Sequence, residues 1–373
     1  MIINGRNDDN SPIPVIEAYV AKLKDAGKQV ETYFPDNGPH GFYFGHPEIP
    51  ETKESARRMV AFFKRQFARS SDGASMPSDT APEPRPPADY NYGPMDWVDP
   101  DTIEPEGMQY KTFFSDTIKQ PVSYLIYFPP NYDEDANSRF PTLYNLPASG
   151  GAAKTGGDIV KRIDAAIRAG RAEPMIIISV NGLRGNTMYC DSHDGLYPLE
   201  TVIIEDLVPH IDDTYRTIAS RERRAVEGFS MGGFGAAHLG FKFPETFGIV
   251  SIQAPPLLAP YLTQPRPTEA WSRLFPNTMG GDIDYWRAND PYTLISKNAD
   301  ALRDRTLIRI VCHIEPENWL APQCERMHQV LMRNNIQHAF YYFSNVKSHS
   351  RGQVLNTLGN SAFDYFSSYL PTP

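Results

Sequence analysis

Cysteine is scarce in this chain. Three thiols, Cys190, Cys312 and Cys324, are spread through 373 residues. Their irregular spacing and the lack of any C-x-x-C pair exclude a disulfide framework and offer no zinc-ligand pattern. Positive charge is also short: 36 Lys and Arg stand against 45 Asp and Glu, for a net charge of −9. Binding a polyanion releases counterions from clustered cations, so nucleic acid is not an expected partner. No apolar run approaches the ~20 residues that span a bilayer, and no membrane partner is expected. The N-terminus lacks the basic-then-apolar layout of a signal peptide, which leaves the compartment open. No solenoid repeat is visible. No motif calls for a cofactor or a metal.

What is present reads as an α/β protein in two unequal parts. Residues 1–69 give a short strand, a turn "GRNDDNSP", a helix over about 14–26, a strand "KQVETYF", a loop holding His40 and a helix over about 51–67. Met1 to Gly5 already reads as a buried strand entering a turn, so the reading is of a chain that starts in mid-fold. Residues 70–95, rich in Ser, Pro, Asp and Ala, cannot bury enough surface to fold alone and read as a linker. Residues 96–373 alternate strand and helix signals, as a mostly parallel sheet covered on both faces does. "MQYKTFFS" and "QPVSYLIYFP" suit an edge hairpin; "FPTLYNL", "PMIIISV" and "RRAVEGF" read as buried strands.

The chemistry enters at Gly228-Phe229-Ser230-Met231-Gly232, which fits G-x-S-x-G. In such an elbow the chain turns so tightly between strand and helix that only small neighbours avoid a clash, and the serine hydroxyl is thrust outward. The context is right: a strand precedes, and the small-residue helix "GGFGAAHLGFK" follows. A serine hydroxyl is a poor nucleophile until a base takes its proton, and that base needs an acid to orient it, commonly in the chain order Ser, acid, His. Five histidines follow Ser230: His238, His313, His328, His338 and His349. His238 and His328 fall within helices, and His338 at a strand start, where packing roles are expected. His349 lies in "SNVKSHSRGQ", a loop leading from a strand into a helix, and is the expected base. The acid should follow the strand "LIRIVCH", where Glu315 and Glu317 stand; Glu317 is favoured because it opens the turn into the next helix.

Two backbone N–H donors must await the developing oxyanion. Met231 supplies one, and Ala148 or Ser149 in "NLPASGG" the other. The loop "NGLRGNTMYCDSHDG" offers Tyr189 and Asp191 as substrate contacts, and the proline-rich, aromatic segment 253–295 offers Trp271 and Trp286, either to stack on a substrate ring or to pack.

The segments "YFPPNYDEDANSRFPTLYNLPASGG", "IIISVNG", "GFSMGGFGA" and "IRIVCHIEPEN … SNVKSHS" together resemble the esterase family that includes esterase D (S-formylglutathione hydrolase), feruloyl and acetylxylan esterases and the antigen 85 mycolyltransferases. The resemblance covers nearly all of 105–370. It implies an α/β-hydrolase fold and ester hydrolysis through an acyl-enzyme, with Ser230 as nucleophile, His349 as base and Glu317 or Glu315 as acid. The substrates it implies are small-molecule or carbohydrate esters, carrying feruloyl, acetyl or other short acyl groups. Two positions depart from the pattern: Leu146-Pro147-Ala148 stands where relatives carry Leu-His-Gly, and Glu where the acid is more often Asp. Acyl transfer to an alcohol, as in the mycolyltransferases, and a dead site kept for binding are the alternatives.

Residues 1–68 resemble the last quarter of a different hydrolase, of the dienelactone hydrolase or prolyl oligopeptidase type. "INGRNDD" matches its acid turn and "GPHGF" its histidine loop. Asp8 or Asp9 and His40 would then be the acid and base of a site whose serine half is absent. A fragment this small buries too little alone, so it is expected to dock on its neighbour or on a second copy.

Overall fold

The computed structural model describes residues 2–3, 13–25, 27, 30–35, 54, 58, 95–99, 104–151, 153–185, 187–257, 278–313, 320–343, 346, 348–359 and 361–367. The chain divides into two compact units, Met1–Glu83 and Pro84–Pro373. In the first, β1 (Ile2–Ile3) pairs in parallel with β2 (Thr32–Tyr33), and the helix Ile13–Asp25 connects them. Asp8, Asp9, His40 and most of the expected 51–67 helix lie outside the described residues.

The second unit is built on one eight-stranded sheet. Its strands are β3 (Met108–Ser115), β4 (Gln120–Tyr127), β5 (Thr142–Leu146), β6 (Ile176–Val180), β7 (Arg224–Phe229), β8 (Ile249–Gln253), β9 (Leu307–His313) and β10 (Ala339–Phe343). They lie in the order β10-β9-β8-β7-β5-β6-β4-β3. The edge hairpin β3–β4 is antiparallel, as is β4 against β6, and every other pairing is parallel. Helices cover both faces, so β5 to β8 are buried at every residue, whereas β3 at the edge keeps exposed positions, Phe114 among them. Two apolar clusters, one on each face, make up the core.

One row of the sheet breaks the apolar rule. Ser179, Asn145, Glu227, Ser251 and Arg309 stand side by side in register across β6, β5, β7, β8 and β9, and all five are fully buried. Polar side chains survive burial only when paired, and these are. The Asn145 amide donates to Ser179 Oγ at 2.9 Å, and Gln253 Nε2, also from β8, donates to Glu227 Oε2 at 3.0 Å. Arg309 Nη2 donates to Ser251 Oγ at 2.8 Å.

The helical stretch after β6 starts as Leu199–Thr201, loosens into π-helical turns over Val202–Leu207 and continues as Val208–Thr214. Periodicity in the sequence carries no signal for that widening. No helix among the described residues is long and apolar enough to cross a membrane.

Candidate active site

Ser230 sits between β7 and the helix Met231–Lys242 with φ 58° and ψ −123°, a conformation that costs a non-glycine residue about 1–3 kcal/mol and persists only when its surroundings impose it. They do. The Ser230 amide donates to the Gln253 carbonyl at 2.9 Å, and its own carbonyl accepts from Phe234 at 3.0 Å. The neighbouring glycines are steric necessities: a Cβ on Gly228 would overlap the Gly232 carbonyl, and one on Gly232 would overlap Leu146 O and stand 2.9 Å from Pro147 O.

His349 meets this serine across 119 residues of sequence. Its Nε2 is 2.9 Å from Ser230 Oγ, and its ring lies tilted over Phe229 with centroids 4.6 Å apart. On the other side, Nδ1 is 3.2 Å from Nε2 of His313, the last residue of β9, which is fully buried. The roles follow from the chemistry. If Nε2 is to accept the serine proton it must carry a lone pair, so the His349 proton sits on Nδ1 and is donated to an unprotonated His313 Nε2. Both imidazoles have further partners. Sequence reasoning assigned His313 no role. Its one signal was position, at the C-terminal end of a parallel strand, where α/β sheets gather their site residues. Glu315 and Glu317 follow directly but lie outside the described residues, as does Trp271.

The two expected oxyanion elements touch. The Leu146–Pro147 backbone packs against Gly232 in the first turn of the elbow helix, and the chain then turns at 148–151, with the Gly151 amide donating to Ala148 O at 2.8 Å. Met231 opens that helix, whose N-terminus carries the positive end of its dipole. Ala148 is half-buried and Ser149 exposed.

Tyr189 and Trp286 are placed differently from expectation. Tyr189 is fully buried, its ring filling the space left by Gly235 and its hydroxyl donating to Pro147 O at 2.7 Å. It has no surface to offer a substrate and instead holds the Pro147 carbonyl at the start of the 148–151 turn. The segment that delivers it is strained, with Leu183, Arg184, Met188 and Tyr189 all at positive φ. Trp286 is a core residue, 3% exposed and 6.1 Å from Phe234 between ring centroids. Asp191 is half-buried, and both its carboxylate oxygens are taken by Thr201, whose amide donates at 3.0 Å and hydroxyl at 2.6 Å.

Within the elbow helix, His238 is wholly buried. Its Nδ1 lies 2.9 Å from the Asn289 carbonyl, an acceptor, so Nδ1 carries the proton; its Nε2 meets the Glu200 carboxylate. Lys242 Nζ donates to the same carboxylate at 2.7 Å. Burial pushes the Glu200 carboxyl up, but the hydrogen bonds and charges of His238 and Lys242 outweigh it and hold it below the usual carboxylate range. Among the described residues no group of three or more His, Cys, Asp or Glu is arranged to hold a metal ion.

A strand, a strained serine turn, a buried helix and a histidine loop at the C-terminal edge of a mostly parallel sheet make this an α/β-hydrolase. Solved structures agree at the level of fold. A ferulic acid esterase is similar with a TM-score of 0.57 at 20% identity, covering 70% of this chain and 98% of that one. An S-formylglutathione hydrolase from Agrobacterium tumefaciens gives a TM-score of 0.57 at 18% identity, covering 70% and 95%. Residues 115–353, more than half of the chain, match the family described as "Putative esterase", and the chain belongs to that family of ester-cleaving enzymes. An endo-1,4-beta-xylanase/feruloyl esterase of Xylanibacter ruminicola is 28% identical over 151 residues, which are 38% of this chain. The matched stretch is 20% of that relative's length.

Proposed function

We propose that this protein is a serine carboxylic-ester hydrolase that works through an acyl-enzyme and takes feruloyl or acetyl esters of carbohydrates, or related short acyl esters. One observation carries the mechanism: an imidazole nitrogen 2.9 Å from a serine hydroxyl held at φ 58° on a nucleophile elbow. The substrate class is supported by the names of a relative and a structural neighbour, a feruloyl esterase and a ferulic acid esterase.

In this reading Ser230 Oγ attacks the ester carbonyl carbon as its proton passes to His349 Nε2. The negative charge on the carbonyl oxygen is received by the Met231 N–H and by an N–H of Ala148 or Ser149; losing one such donor costs about 3–4 kcal/mol of transition-state stabilisation. The C–O bond to the alcohol then breaks, the alcohol taking the proton from Nε2, and Ser230 is left acylated. Water attacks the acyl carbon as one of its protons passes to the same Nε2; the bond from that carbon to Ser230 Oγ then breaks, Oγ takes the proton back from Nε2, and the carboxylic acid leaves with the serine restored. Glu317, or Glu315, stabilises the imidazolium of His349.

Hydrolysis of p-nitrophenyl acetate and methyl ferulate tests the reading. Ser230→Ala and His349→Ala should each lower kcat by roughly 10³-fold or more, and His40→Ala should leave it near wild type. Glu317→Gln should cost roughly 10²- to 10⁴-fold and Glu315→Gln far less. A His40→Ala enzyme without turnover beside an active His349→Ala enzyme would refute the assignment.

A further inference from the structure

The nucleophile and its base come from segments 119 residues apart, and something must fix the second against the first. We propose that Arg351 and Glu227 form a clamp that positions His349 against Ser230, an inference that rests on the catalytic assignment above. Arg351 follows His349 by two residues and opens the helix Arg351–Leu358. Its Nη2 donates to Asn145 Oδ1 at 2.6 Å and also meets Glu227 Oε1. Glu227 precedes Ser230 by three residues on β7, and its side chain is 1% exposed, against 16% for Arg351. One short link therefore joins the base-bearing loop to the strand that bears the nucleophile.

Both acceptors are fixed beforehand. Asn145 spends its amide N–H on Ser179 Oγ, which turns its oxygen toward the guanidinium, and Glu227 is held through its other oxygen by Gln253. Both belong to the buried polar row, the least deformable part of the sheet. Beyond Arg351, the same row reaches the next helix, Ser361–Ser367, where Arg309 Nη1 donates to Ala362 O at 3.1 Å.

Stability alone does not account for the pair. An unpaired buried carboxylate is costly, but an apolar residue at position 227 would remove that cost altogether, and buried ion pairs are often neutral or worse against apolar replacements. What a guanidinium shared between two fixed oxygens adds is direction. Direction matters here, because a misplacement of about 1 Å in a catalytic group costs on the order of 10²-fold in rate.

The test uses the full chain, with p-nitrophenyl acetate kinetics and thermal unfolding measured together. Arg351→Met should lower kcat roughly 10- to 100-fold while KM stays within about twofold, with a lowered Tm. Arg351→Lys keeps the charge on a shorter side chain that does not carry its nitrogen to the Nη2 position between Asn145 Oδ1 and Glu227 Oε1, and should stay at least ~5-fold down in kcat. The paired Glu227→Met, Arg351→Met variant removes the uncompensated buried carboxylate and should recover part of the Tm lost in Arg351→Met, short of wild type because Gln253 Nε2 and Asn145 Oδ1 lose their partners, while kcat remains low. If the paired variant regains kcat with Tm, or if either single Arg351 variant turns over like wild type, the clamp is refuted and the pair is structural only. Should the paired variant not fold, Arg351→Lys decides by itself. A wild type that hydrolyses neither ester and takes no fluorophosphonate on Ser230 would remove the esterase reading, and the clamp with it.

Discussion

Ser230 shows how much a single backbone angle can carry. Its positive φ throws the hydroxyl clear of the strand, and the glycines at 228 and 232 let the carbonyls of Gly232 and Leu146 come as close as they do. Gly232→Ala would drive a methyl into the Leu146 carbonyl, so it should abolish turnover and lower Tm; an active, stable Gly232→Ala enzyme would contradict this packing. Tyr189 makes a quieter contribution. Tyr189→Phe removes only the donor to Pro147 O and leaves a buried carbonyl unpaired, at a cost of about 1–3 kcal/mol. A modest fall in Tm is expected, together with a several-fold lower kcat at unchanged KM if the loop it holds supplies the proposed oxyanion donor. At this scale, residues differ in how far their neighbours in the chain reveal them. Ser230 was legible because its restriction is local, written in its immediate neighbours. Tyr189 and Trp286 were misplaced because an aromatic on a loop looks the same whether it faces a pocket or fills the core; the partners that decide, Gly235 and Phe234, belong to a helix dozens of residues away.

Among the elements, the helix Met231–Lys242 is set in the core on all sides, buried from Met231 to Phe241. Its far half is tied to the stretch after β6 by the Glu200, His238 and Lys242 cluster. That tie makes stability depend on pH. The folded-state pKa of Glu200 lies below the ordinary carboxylate range, so the unfolded chain binds the proton first. The contribution is therefore complete above the ordinary carboxylate pKa of ~4.3 and fades as pH falls through the lower folded value. Glu200→Gln should lower Tm at pH 7 and flatten the fall in Tm between about pH 5 and 3 relative to wild type; an unaltered acid profile would show that the cluster adds nothing. Strand positions were readable, since apolar runs of four to six residues between turn signals suit buried parallel strands. β8 was passed over between the elbow helix and the proline-rich stretch that follows it, and the π-helical widening at Val202–Leu207 has no marker in periodicity.

Over the whole molecule, every residue of the proposed site belongs to the unit Pro84–Pro373, as does the entire family match at 115–353. A chain starting at residue 84 should therefore keep ester hydrolysis with the same dependence on His349. Loss of kcat on that truncation, with the remaining unit still cooperatively folded, would give the N-terminal unit a part in turnover that the triad does not require.

The sequence alone settled whatever depends on neighbours a few positions apart: the steric demand of the elbow, the alternation that makes an edge hairpin, the apolar runs of a covered parallel sheet, and a histidine loop late in the chain. Those features rest on local sterics and periodicity, which short stretches of residues encode completely. Tertiary structure decided the rest. That His313 meets His349, that Tyr189 holds the Pro147 carbonyl and that Arg351 reaches Asn145 across 206 residues all depend on strand register and on which helix covers which face. Register is a property of the assembled sheet, because a shift by one residue would send strand residues such as Asn145 and His313 to the opposite face, away from the partners that reach them.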